Sequence, residues 1–276
     1  MAMDRGIKTR GGLGGLVAKH PITTFFLLTY VLSWWSAPLA GGSIIAHGPF
    51  LAAIIVVGLT EGRRGIASFF RGVFTWRGGW QWLVIAPALV LAYLVGALTL
   101  NAILGGTITE TAHLGSLAPR YLELLLLGGV WEEPGWTGFA LPALQERLAH
   151  RRYGALQASL ILGVFRAVWH IPLVAWGHIP WFDALVLALG MQLLISWVYN
   201  RSGRNVLAAM LLHLTSNLVG GALVVPLFSG AARTQFYILF VALACVEALL
   251  LARRGGWSVG QPAPQAAGPG GTRPAL

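Results

Sequence analysis

The chain has 276 residues, 56% of them hydrophobic and only 10% charged, with a mean hydropathy of +0.70. A soluble globular domain carries roughly 25% charged residues, so a single water-soluble globule is excluded. The net charge of +10 would suggest nucleic acid in a soluble protein, but here the basic residues flank apolar runs, which points to a membrane and against a nucleic-acid partner.

Residues 1–20 form a basic segment with Arg5, Lys8, Arg10 and Lys19. Apolar stretches of crossing length follow near residues 22–40, 43–60, 82–104, 121–144, 155–176, 181–199, 206–225 and 235–252, one for each crossing of a hydrocarbon core of ~30 Å. The expected fold class is all-α, a polytopic membrane helical bundle of about eight transmembrane helices over residues 21–254. His47, Gly48 and Pro49 are expected to break or kink the second span. After it, Phe69, Phe70, Phe74 and Trp76 among arginines read as an interfacial amphipathic helix that anchors the chain to the membrane surface. Lys and Arg gather before the first span and after every even-numbered one, whereas the opposite side receives Arg120 and Arg233 and one arginine, Arg166, lies within a span. The positive-inside rule then puts both termini in the cytoplasm, as in a multi-pass protein of the plasma membrane. Residues 255–276, rich in Gly, Pro and Ala, read as a disordered cytoplasmic tail. The single cysteine, Cys245, rules out a disulfide framework within the chain.

A charge at the centre of a span costs at least ~2.5 kcal/mol, so the few polar residues at depth carry the information. Glu132 and Glu133 are adjacent in WEEPGW, about a dozen residues or roughly 18 Å into the fourth span. Two neighbouring carboxylates in a low dielectric do not both ionise without a proton, a cation or a metal beside them. Pro134 and Gly135 follow and weaken the backbone ladder where a substrate or water would need room. The fifth span holds Arg166 and His170 one turn apart, and the seventh holds His213 and Asn217 likewise. A lone histidine or asparagine at depth is as readily interhelical glue, but this constellation on three spans reads as one site. Glu247 and His47 read as structural or snorkelling groups.

A carboxylate with imidazoles suits activation of a water for hydrolysis, either directly or at a bound metal. Glutamate and histidine are also zinc ligands, although no HExxH occurs. Asn217, an uncharged donor, suits the oxygen of a tetrahedral intermediate.

EEPGWTGF, FRAVWH and HLTSN resemble the EExxxR, FxxxH and HxxxN motifs of the CPBP family of intramembrane proteases. This is the family of CAAX prenyl endopeptidases and bacteriocin-processing or immunity proteins, also called Abi. The resemblance covers a catalytic core of residues 118–222 and implies an intramembrane metalloprotease. It implies that Glu132 and His170 activate the attacking water, that His213 and Asn217 hold the oxyanion, and that Glu133 is a supporting carboxylate. Zinc held by Glu132, His170 and His213 and a metal-free mechanism both stay open. The arginine of EExxxR is Thr137 here, and Arg166 is the candidate to replace its charge. The expected function is an intramembrane endopeptidase acting near the cytoplasmic leaflet on a membrane-associated substrate, prenylated and CAAX-like or bacteriocin-type. The alternatives are a non-catalytic immunity or scaffold protein and an ion-coupled transporter, though the repeated halves that a transporter predicts are not evident.

Overall fold

The computed structural model describes residues 12–111, 115 and 117–260. The outer parts of the expected basic segment and tail, residues 1–11 and 261–276, lie outside the described residues. Among the described residues every regular element is helical. The first five helices are α1 (Leu13–Lys19), α2 (Pro21–Trp34), α3 (Gly48–Phe74), α4 (Trp82–Ile103) and α5 (Leu117–Leu126). A 3₁₀ turn (Gly129–Glu132), the single turn α6 (Glu133–Gly135) and a π-helical turn (Trp136–Ala140) lead into α7 (Leu141–Arg147). Then come α8 (Gly154–Trp169), α9 (Ile171–Ala175), a π turn (Asp183–Leu187) and α10 (Ala188–Arg201). The chain closes with α11 (Val206–Thr215), a π segment (Ser216–Val224), a 3₁₀ turn (Val225–Leu227) and α12 (Gly230–Trp257).

Among the described residues four stretches are long and apolar enough to cross a membrane: Trp82–Ile103, Asp183–Arg201, Val206–Leu227 and Gly230–Arg254. Pro21–Trp34 and Gly154–Trp169 are shorter apolar helices. Leu83, Val84, Leu91 and Val95 on α4 and Ile238, Val246, Leu249 and Leu250 on α12 are exposed, an apolar rind suited to lipid contact and not to water. The bundle is thus all-helical and built for a membrane, but it does not consist of eight uninterrupted crossings. The fourth expected span, 121–144, is divided between α5 and the short turns from Gly129 onward, and the fifth breaks at His170 between α8 and α9.

Three other local expectations change. Gly48 and Pro49 do not kink a span; they start α3, with proline in the first turn, where its missing N–H breaks no helical bond. The bend lies instead at Gly62, with φ 69° and ψ −158°, a conformation open to glycine. There the chain doubles back. Phe50 and Phe69, which a straight helix would separate by roughly 28 Å, have ring centroids 6.2 Å apart. Phe70 and Phe74 continue this ladder against Phe50 and Trp131, so the segment read as a surface anchor folds back along the first half of α3 while Phe70 and Phe74 stay exposed. Finally, order continues past residue 254: α12 runs to Trp257, Val259 is fully buried, and its carbonyl accepts from Asn200 Nδ2 at 2.8 Å.

Two apolar cores flank the middle of the bundle. One joins α4, α10, α11 and α12 around Tyr93, Leu194, Leu212 and Phe240. The other joins α2, α3, α7 and α8 around Phe25, Trp136, Leu162 and Trp169. The polar residues of the fourth, fifth and seventh expected spans lie where these cores meet.

Candidate active site

Glu133 is fully buried and satisfied on both oxygens. Arg166 Nη2 donates to Oε1 at 2.7 Å, His213 Nδ1 donates to the same oxygen at 2.8 Å, and the Thr137 hydroxyl donates to Oε2 at 2.5 Å. The three donors come from α8, from α11 and from the π turn following α6. Thr137 sits four residues after Glu133 and reaches back to it; the charge that a buried carboxylate needs comes from Arg166. The Arg166 guanidinium carbon also lies 5.8 Å from the centroid of the Trp136 ring, within cation–π range. Trp136 packs edge-on against Phe25 and Trp169, so an aromatic wall backs the ion pair.

Glu132 is 4% exposed, and its Oε2 is buried without a hydrogen-bond partner among the described residues. Its surroundings are set by Gly129, in the preceding 3₁₀ turn. A Cβ placed on Gly129 would lie 2.7 Å from Glu132 Oε1 and 3.0 Å from both Asn217 Nδ2 and His213 Cε1. One carboxylate, one amide and one imidazole therefore converge on the space that a glycine leaves open. Gly135 serves a different purpose. A Cβ there would be 2.3 Å from the Pro49 carbonyl, so its lack of a side chain lets the start of α3 press against the turn that carries both glutamates.

His170 caps α8, and its Nδ1 lies 2.8 Å from the Arg166 carbonyl oxygen. A carbonyl only accepts, so in the neutral ring the hydrogen is assigned to Nδ1 and Nε2 keeps its lone pair. By the same argument, His213 Nδ1–H donates to Glu133. Pro172, two residues after His170, favours the break between α8 and α9 that places the ring at a helix end.

Glu132, His170, His213 and Asn217 line a cavity of about 970 Å³ and a deeper lobe of about 80 Å³, room for water beside the carboxylate. Arg166 borders the lobe, whereas Glu133 lines neither space. All six residues expected from the sequence thus fall at one place. His47 and Glu247 line neither cavity; the His47 ring stacks at 5.7 Å on Trp131.

Asp183 also lines both spaces, and the Tyr237 hydroxyl donates to its carboxylate. The deep polar residues of the sequence do not include it. The available signal was an acidic residue just inside an expected span, 181–199. Thr137, Asp183 and Asn217 each sit in a π-helical segment. Such segments carry one extra residue per turn, which re-aims side chains, and they concentrate at functional sites.

A catalytic zinc needs three protein ligands and a place for water. Among the described residues no three His, Cys, Asp or Glu side chains are gathered closely enough to hold a metal ion. Glu132, His170 and His213 share a cavity without forming such a cage.

Comparison with known proteins agrees with the motifs. A family model described as type II CAAX prenyl endopeptidase Rce1-like matches residues 114–219, the segment that contains every motif residue above. A CAAX prenyl protease 2 of Methanococcus maripaludis is 24% identical over 221 residues, covering 70% of this chain and 80% of the relative. With the three motifs brought together at one cavity, the chain is similar to the CPBP family of intramembrane endopeptidases.

Proposed function

We propose that the protein hydrolyses a peptide bond of a membrane-associated substrate with a water activated by Glu132 and His170. The observation that carries this reading is the convergence of Glu132, His213 and Asn217 around Gly129, with His170 on the same lobe. Glu133 does not compete for the role of base, because both its oxygens are occupied by Arg166, His213 and Thr137.

In the lobe, Glu132 takes a proton from water while His170 Nε2 accepts its second hydrogen and orients it. The resulting hydroxide adds to the scissile carbonyl carbon, and negative charge moves to the carbonyl oxygen. Asn217 Nδ2 donates to that oxygen. His213, held in place by its Nδ1–H donation to Glu133, borders the same lobe beside Asn217. Collapse of the intermediate breaks the C–N bond, and Glu132 returns its proton to the departing amine.

The named relative is a CAAX prenyl protease, so a prenylated CAAX-like peptide is one candidate substrate and a bacteriocin-type peptide is another. The test is cleavage of a membrane-reconstituted peptide library containing both classes by wild type and Glu132→Gln. Cleavage by wild type and its loss in a folded Glu132→Gln variant is the expected result. Equal cleavage by both would remove Glu132 as the base, and no cleavage by folded wild type would overturn the hydrolytic reading.

A further inference from the structure

The turns of the bundle sort onto two faces through their own hydrogen bonds. On one face the Asn205 side chain donates to the Arg77 carbonyl at 2.6 Å, and the Asn200 side chain donates to the Val259 carbonyl at 2.8 Å. Val259 and Ala252 pack with Ala155 at the start of α8, which brings the 148–153 turn to the same side. This face carries Arg77, Arg147, Arg151, Arg152, Arg201 and Arg204. On the other face the His178 ring donates to the Gly41 carbonyl at 2.7 Å, and the Ser229 N–H donates to Thr109 Oγ1 at 2.7 Å. The basic side chains described there are Arg120, paired at 2.6 Å with Glu123, and Arg233. The positive-inside rule orients such a molecule with the arginine-rich face in the cytoplasm.

The catalytic cavity opens on the opposite face. Ser43, His178, Arg233 and Thr234 line it and are exposed, and no residue of the arginine-rich turns contributes to its walls. Along α8, with 16 residues, His170 lies ~24 Å from the basic turn, whereas His213, seven residues into α11, lies ~11 Å from it at ~1.5 Å per residue, so the direction of access is carried by the cavity lining. Between the site and the basic turns, Leu141, Leu144, Tyr199, Val206 and Met210 are buried and close the bundle.

We propose that this active site is supplied from the extracytoplasmic side, and that its substrate is an extracytoplasmic polypeptide segment held at the membrane. A prenylated C-terminus lying in the cytoplasm would face the closed, arginine-rich end. The nature of the substrate rests on the endopeptidase reading above; the face from which it enters rests on topology alone. Entry from this face departs from the expected site near the cytoplasmic leaflet.

The test separates these two parts. In a Cys245→Ala background, Thr234→Cys reports the cavity mouth and Arg151→Cys the basic face. In intact cells a membrane-impermeant maleimide should label Thr234→Cys at least roughly tenfold faster than Arg151→Cys, with the difference lost on permeabilisation, because the bilayer bars the polar reagent. Faster labelling of Arg151→Cys would overturn the proposed orientation and leave the endopeptidase reading untouched. In sided proteoliposomes, an internally quenched peptide library should be cleaved only from the Thr234 side, and a bulky maleimide on Thr234→Cys should block that cleavage. Cleavage only from the Arg151 side overturns the proposed route. Correct labelling with no cleavage from either side overturns the endopeptidase reading and the substrate assigned here.

Discussion

Arg166 Nη2 lies 2.7 Å from Glu133 Oε1, and the two buried side chains come from different helical segments, 33 positions apart in the chain. The arginine that the EExxxR pattern places on the glutamates' own helix is thus supplied from the neighbouring one, while Thr137, at the vacated position, donates to the other carboxylate oxygen. Removing one partner of a buried ion pair leaves an uncompensated charge and costs about 3–5 kcal/mol. Arg166→Ala is therefore expected to lower stability by about that amount, read as denaturation in detergent, and to lower cleavage with it. Adding Thr137→Arg to the same chain should restore much of both. If Arg166→Ala leaves folding and cleavage intact, the relocated charge is not needed.

Two glycines within three residues of the glutamates, Gly129 and Gly135, should respond differently to alanine. At Gly129 the new methyl would meet the ends of flexible side chains, Glu132 and Asn217, which can yield. Gly129→Ala should fold with a near-normal melting temperature and lose roughly 10²-fold in cleavage, the scale of a displaced catalytic group. At Gly135 the methyl would meet the Pro49 backbone at 2.3 Å, which cannot move without shifting α3. Gly135→Ala should lose stability by about 1–3 kcal/mol, visible in the melting curve before any assay. A Gly129→Ala enzyme with full activity would show that the space around that glycine is not where the substrate carbonyl binds.

Asn217 offers the clearest separation of chemistry from folding, because its side chain is not fully buried and borders the cavity. Asn217→Ala should reduce kcat by about 10²–10³-fold, as for removal of one oxyanion donor, with little change in KM or melting temperature. A change confined to KM would instead make it a binding contact.

Metal dependence is open to direct measurement. With no three donors gathered among the described residues, treatment with a strong chelator is expected to change cleavage by less than about twofold, and added zinc should not raise the melting temperature. Loss of cleavage on chelation with recovery on zinc would show that Glu132, His170 and His213 close around an ion in the working enzyme.

Much of the site was legible in the chain because the membrane makes polarity expensive. At more than ~2.5 kcal/mol per buried charge, few charged or imidazole side chains stand inside apolar runs, and Glu132, Glu133, Arg166, His170 and His213 stand out for that reason. Their spacing also located the turns they share. Asp183 escaped notice because it begins its span, where an acidic residue at a water boundary is unremarkable, and only the packing of α12 brings Tyr237 onto it.

Composition and hydropathy by themselves determined an all-helical membrane chain, the sidedness of its charges and the identity of its deep polar residues. These are properties of single segments in a low-dielectric solvent, independent of what packs beside them. Tertiary structure decided which glutamate Arg166 neutralises, that the chain reverses at Gly62, that the fourth and fifth expected spans are interrupted, and on which face the cavity opens. Each of those depends on contacts between residues far apart in the chain, and on the close approach allowed by Gly135, for which a hydropathy pattern carries no distance.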